Sequence, residues 1–104
     1  MRIVEKDILS VTKTGVICHQ VNCKRVMGAG LALNIRTKWP HVYNVYRSKQ
    51  DWELGDCQIV TINATKLLYV ANLAGQYNCG RSGSFTHYDA LRVALRTARD
   101  FSDA

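Results

Sequence analysis

A chain of 104 residues, 47% of them apolar and one of them proline, reads as a single globular domain. It holds no apolar run near the ~18 residues that would span a bilayer, so no membrane partner is expected. Fourteen basic against eight acidic residues leave a net charge of +6, which favours anionic partners, nucleic acid and small anionic ligands alike.

The basic residues are distributed along the chain rather than run together, the pattern of solvated helix faces. Cys18, Cys23, Cys57 and Cys79 include no C-x-x-C pair, which argues against zinc or another metal. The N-terminal stretch Met1–Asp7 lacks the apolar core of a signal peptide. Reduced thiols in a cytoplasmic protein are therefore expected, with Cys18 and Cys57 buried in strands.

In chain order, Arg2 to Val4 can start an edge strand, and Asp7-Ile8-Leu9 follows as a turn or cap. Gly15–Val21 is apolar and β-branched enough for a buried strand. Asn22 stands where that strand ends, and a loop with Gly28 and Gly30 leads into a helix over 30–38. Leu31, Ala32, Ile35 and Trp39 recur there at helical spacing until Pro40. Pro40 suits the first turn of a second helix, where its missing N–H costs nothing. Val42, Tyr43, Val45, Tyr46 and Lys49 share one face of it, and both tyrosines read as core packing.

Leu54-Gly55-Asp56 is a turn into the alternating strand Cys57–Ile62, and Asn63–Lys66 connects it to Leu67–Leu73. That last run is nearly all apolar, the signature of an interior strand covered on both faces. Ala74 to Ser84 reads as a long polar loop emerging from its carboxyl end. Thr86-x-x-Asp89 matches a capping box. The final helix buries Leu91, Ala94, Leu95 and Ala98, with Arg92, Arg96 and Arg99 on the opposite, solvated face.

Strands alternating with helices indicate an α/β fold with a mixed, mainly parallel sheet. The order strand, glycine loop, helix N-terminus holds phosphate in such folds, because free N–H groups and the helix dipole favour an anion. The Asn22 amide offers a donor and acceptors to a sugar hydroxyl beside it. The Gly-Lys-Ser/Thr of a P-loop and the third glycine of a dinucleotide fingerprint are both missing. No nucleophile elbow surrounds Ser10. His19 reads as a satisfied core or strand-end histidine, His41 as exposed, and His87 as a first-turn residue whose charge the dipole disfavours.

Asn22-Cys-Lys-Arg-Val-Met27-Gly28-Ala29-Gly30-Leu31-Ala32, followed by Lys38-Trp39-Pro40 and Tyr43-x-x-Tyr46, resembles the macro domain family of ADP-ribose-binding modules. The likeness runs from about Asp7 to about Leu95. It is strongest to the branch with the terminal ADP-ribose protein glycohydrolases, the antitoxins that remove ADP-ribose from DNA, and bacteriophage relatives. The resemblance implies a three-layer α/β/α sandwich and ADP-ribose, free or on a macromolecule, as partner, with no cofactor. It implies that Asp7 and Ile8 take the adenine, although Lys6 stands where the family often has glycine. Asn22 would bond the distal ribose, and Met27, Gly28, Ala29, Gly30 and Leu31 would hold the diphosphate. Gly75, Gln76 and Asn78 would cover the ribose, with Arg81 pairing a phosphate.

Two departures matter. Gln76 falls where the glycohydrolase branch has its nucleophilic lysine, and an amide cannot attack the sugar. Any catalysis would then be hydrolysis of ADP-ribose 1″-phosphate or an ADP-ribosyl ester, with Asn22 and Gln76 placing a water. The family pattern also continues beyond this chain with a strand and a second phosphate loop, so an exposed sheet edge and self-association through it are expected. The alternative is a non-catalytic α/β protein that binds nucleic acid through the arginines of its last helix.

Overall fold

The computed structural model describes residues 3–4, 14–28, 30–77 and 86–103. They form a four-stranded sheet of order β1-β2-β4-β3, made of β1 (Ile3–Val4), β2 (Gly15–Asn22), β3 (Cys57–Asn63) and β4 (Leu68–Gln76). β1 and β4 both run parallel to β2, while β3 lies antiparallel to β4. Helices α1 (Gly30–Lys38) and α2 (Pro40–Ser48) pack on one face and α3 (Tyr88–Asp103) on the other. This is the three-layer sandwich, with the expected mixed, mainly parallel sheet.

The near-continuous burial of β4 follows from its central place. Val70 and Ala74 point into the core under α1 and α2, with Ile17, Val21, Met27, Ile35, Val42, Tyr46 and Trp52. Ala71 and Leu73 point the other way, with Val16, onto Ala94 and Ala98 of α3. Each large side chain so buried contributes about 1.5–3 kcal/mol against exposure. Ala94, Ala98 and Ser102, spaced four apart, form the buried stripe of α3, and small side chains let the helix lie close to the sheet. Phe101 closes its end edge-on against Tyr69, with centroids 4.9 Å apart.

Four expectations are corrected. β4 does not stop at Leu73 but continues through Ala74 and Gly75 to Gln76, because backbone pairing with β2 carries these small and polar residues. Val45 is exposed and Lys49 lies just past the end of α2, so the buried side of that helix narrows to Val42 and Tyr46. Cys18 and Cys57 are half-buried rather than enclosed. At α3, the His87 carbonyl accepts the Leu91 N–H at 2.9 Å, so His87 caps the helix ahead of its first turn. Asp89 pairs instead with Arg92 at 3.2 Å.

Candidate functional site

β2 and β4 end side by side. Their register steps from Val21↔Ala74 to Asn22↔Gln76, leaving Gly75 as the extra residue of a bulge. A Cβ on Gly75 would lie 2.7 Å from the Gln20 side-chain oxygen, so any side chain here would make Gln20 move. The Cys23 N–H then bonds the Gln76 carbonyl at 2.9 Å, and the His87 N–H bonds the Gly75 carbonyl at 2.7 Å. The strand ends and the start of α3 are thus tied together by main chain.

Asn22 is the hinge between β2 and the glycine loop. Its side-chain oxygen accepts the Lys24 N–H at 3.0 Å and the Val26 N–H at 3.3 Å, while its NH2 donates to the Val26 carbonyl at 2.9 Å. This closes 22–26 around the amide and holds Arg25 at φ 64°. Met27 then drops into the core, fully buried. Its side chain anchors the loop and leaves main chain, not thioether, to face a ligand. Gly28 is exposed, and Gly30 opens α1 at φ 58°, a left-handed conformation that favours glycine. Leu31 is exposed in the first turn of α1.

From the other layer, the Tyr46 hydroxyl reaches the Asn22 carbonyl at 2.5 Å and the Asn22 side-chain oxygen at 2.9 Å. Burial pushes this phenol well above its ordinary range, so it remains a neutral donor. Trp52 backs it, its ring N–H bonding the Tyr46 carbonyl at 3.0 Å. Burial and the Asp56 carboxylate hold the Cys23 thiol above its usual value, which keeps it protonated.

Deeper on the same face lies a polar line. Gln58 donates to the Val45 carbonyl at 3.2 Å, Asn72 donates to the Gln58 oxygen at 2.9 Å, and His19 Nε2 lies 2.5 Å from the Asn72 oxygen. Reading back from the carbonyl, which only accepts, each amide orientation is forced and His19 must carry its proton on Nε2. Among the described residues its Nδ1 is buried without a partner, and desolvation lowers the pKa to about 4. His19 is thus a neutral core histidine, as expected from its place in the strand, but satisfied at Nε2 only.

The structure therefore gathers Asn22, Met27, Gly28, Gly30, Leu31, Gly75 and Gln76 at one end of the sheet. Asp7, Ile8, Ala29, Asn78 and Arg81 lie outside the described residues. Sequence reasoning missed the link from Tyr46 to Asn22: spacing marks Tyr46 as core, but nothing in it names the partner of the hydroxyl. Among the described residues no cluster of His, Cys, Asp or Glu could hold a metal.

The α/β/α sandwich with a strand-end amide beside a glycine loop matches solved macrodomain structures. The chain is similar to a macrodomain protein of Streptomyces coelicolor, with 28% identity over 90% of this chain and TM-score 0.74. It spans 64% of that protein's length. The macrodomain of Mycobacterium tuberculosis DarG matches at 24% identity over 96% of this chain and 68% of its own, TM-score 0.74. The Thermosipho africanus DarTG structure, in complex with ADP-ribose, matches at 19% identity over 91% of this chain and 27% of its own, TM-score 0.73. The fold is that of a macrodomain. No family model and no curated protein matches the chain.

Proposed function

We propose that the protein binds ADP-ribose, or an ADP-ribosyl group, at the carboxyl ends of β2 and β4. The observation that carries this reading is the adjacency of the Asn22 amide, Gln76 and the glycine loop that opens α1, set within a macrodomain fold. The ADP-ribose complex of a structural neighbour supports the ligand class. The diphosphate would take the N–H groups of 28–31, where φ above zero at Gly30 turns the backbone towards the helix start. The distal ribose would lie against Asn22 and Gln76. With an amide at position 76 and a protonated thiol at Cys23, the chemistry open to these residues is placement of a water beside the anomeric carbon. That suits hydrolysis of ADP-ribose 1″-phosphate or of an ADP-ribosyl ester.

Calorimetric titration with ADP-ribose, ADP and AMP tests the reading. Micromolar binding of ADP-ribose, weaker binding of ADP, and loss of that difference in Gln76→Ala would support it. No heat at millimolar ADP-ribose would sink it. Release of phosphate from ADP-ribose 1″-phosphate then tests catalysis.

Binding of nucleic acid is favoured by a different observation and at a different place from the last helix. The Arg92, Arg96 and Arg99 face is balanced by Asp89, Asp100 and Asp103 on the same helix. Residues 8–50, by contrast, hold seven basic side chains and no carboxylate, so the excess charge of the chain lies there. Arg36 and Arg47 lie over the Tyr43 ring at 4.0 and 5.4 Å. A nucleic acid held on this α1/α2 layer would show a steep fall of affinity with salt. A flat salt response would remove the reading. The outer edge of β3 pairs with no strand among the described residues. Self-association through it would show as a dimer mass in light scattering, and a monomer at high concentration would exclude it.

A further inference from the structure

Among the described residues, the neighbours of the Asn22 amide leave it one free valence. Two main-chain N–H groups point at the side-chain oxygen, which has two lone pairs, so its acceptor capacity is spent. Of the two amide protons, one goes to the Val26 carbonyl. The orientation cannot be reversed, since a flip would set NH2 against two N–H donors and oxygen against a carbonyl. Among the described residues nothing takes the other N–H, on a residue only 7% exposed.

The expectation that Asn22 offers both donor and acceptor to a ligand is thereby narrowed to a donor. The Tyr46 hydroxyl stands at the centre of this arrangement. Its one proton goes towards the Asn22 main-chain carbonyl, at 2.5 Å, with the side-chain oxygen at 2.9 Å. It therefore fixes the last peptide of β2, from which the amide projects, from a helix 24 residues away in sequence, while the loop backbone sets the rotamer of the amide.

We infer that Tyr46 is a positioning residue that, by holding the last peptide of β2, presents the donor N–H of Asn22 and so makes the strand end selective for ligands with a hydrogen-bond acceptor at that point. Resting on the ADP-ribose reading, the acceptor is a hydroxyl oxygen of the distal ribose, the part that ADP lacks. Phosphate binding by the glycine loop does not depend on the hydroxyl in the same way, because Met27 anchors that loop separately in the core.

The experiment compares wild type, Tyr46→Phe and Trp52→Phe. Trp52→Phe removes the ring N–H that supports α2 but leaves the Tyr46 hydroxyl. Affinities for ADP-ribose and ADP are measured by calorimetry, and exchange at the Lys24 and Val26 amides by NMR. Tyr46→Phe is expected to weaken ADP-ribose by about five- to tenfold, the worth of one good hydrogen bond. ADP affinity should hold within about twofold, and exchange at Lys24 and Val26 should quicken by a similar factor. Trp52→Phe should leave the ratio of the two affinities unchanged.

Equal weakening of both ligands by Tyr46→Phe would overturn the inference, as would the same change in the ratio from Trp52→Phe. If wild type binds neither ligand, the ADP-ribose reading fails. Amide exchange then still decides whether Tyr46 sets the Asn22 loop, and unchanged rates at Lys24 and Val26 would refute that too.

Discussion

Beneath α1 and α2 the sheet carries the polar line His19, Asn72 and Gln58 beside Tyr46 and Trp52, whereas beneath α3 Val16, Ala71 and Leu73 meet a stripe of alanines. Both layers bury apolar area, but they do so with different tolerances. Alanine against a sheet asks for little beyond closeness, and apolar exchanges of similar volume are tolerated there. A buried amide chain asks for every partner at once, because an unmatched polar group in the interior costs its full desolvation. The strand-end site borders the demanding layer, which holds Tyr46 against Asn22. The contrast teaches that this protein spends its specificity beneath α1 and α2 and uses α3 mainly as cover.

The largest expected effect tests that contrast directly. Asn72→Leu keeps the volume but strands both His19 Nε2 and the Gln58 oxygen, and should cost about 3–4 kcal/mol in urea denaturation. Leu73→Met, next in sequence but on the α3 face, should cost under about 1.5 kcal/mol. Equal losses would erase the difference between the layers.

Acid should then separate them further. His19 has its pKa lowered from 6.5 to about 4 by burial. Between those values the unfolded chain takes up a proton that the folded protein does not, so stability falls as pH drops through that window. The full contribution is about 3 kcal/mol, present above the unfolded value and lost by the time the folded group titrates. Denaturation curves from pH 7 to pH 4 should slope less steeply in His19→Gln than in wild type. Parallel slopes would mean that His19 is not held neutral by the fold.

On the other face, Ala98→Leu should cost about 2 kcal/mol by forcing α3 away from the sheet, read as a lower melting temperature with ADP-ribose affinity unchanged. A loss of affinity as large as that from Tyr46→Phe would show that α3 is more than cover. The smallest effect is expected at Gly30→Ala. Nothing stands within 4 Å of its added Cβ, so the cost is the left-handed φ alone, about 1 kcal/mol. Calorimetry should show it acting on ADP and ADP-ribose alike, since both carry the diphosphate.

Much of this architecture was legible in the chain because local signals agree with it. Gly30 and Pro40 bracket α1, and the Leu54–Asp56 turn introduces β3, since glycine and proline restrict the backbone whatever surrounds them. The candidate residues Asn22 and Gln76 were legible by position, at the ends of strands. Where β4 ends was not, because Ala74 to Gln76 owe their extended form to pairing with β2 more than 50 residues earlier. The same holds for the His19, Asn72 and Gln58 line, whose members lie 53 and 14 residues apart. The charge asymmetry, with no carboxylate over 8–50, was missed because the basic residues taken alone are evenly spread.

By itself, then, the sequence determined where β2, α1, α2 and β3 begin, that β4 is interior, and that a glycine loop follows β2, because turn chemistry and hydrophobic period are local properties. Only the tertiary structure decided what Asn22 has left to offer a ligand. An amide's free valence depends on the donors and acceptors brought to it, and Tyr46 is brought there by the packing of α2 on the sheet.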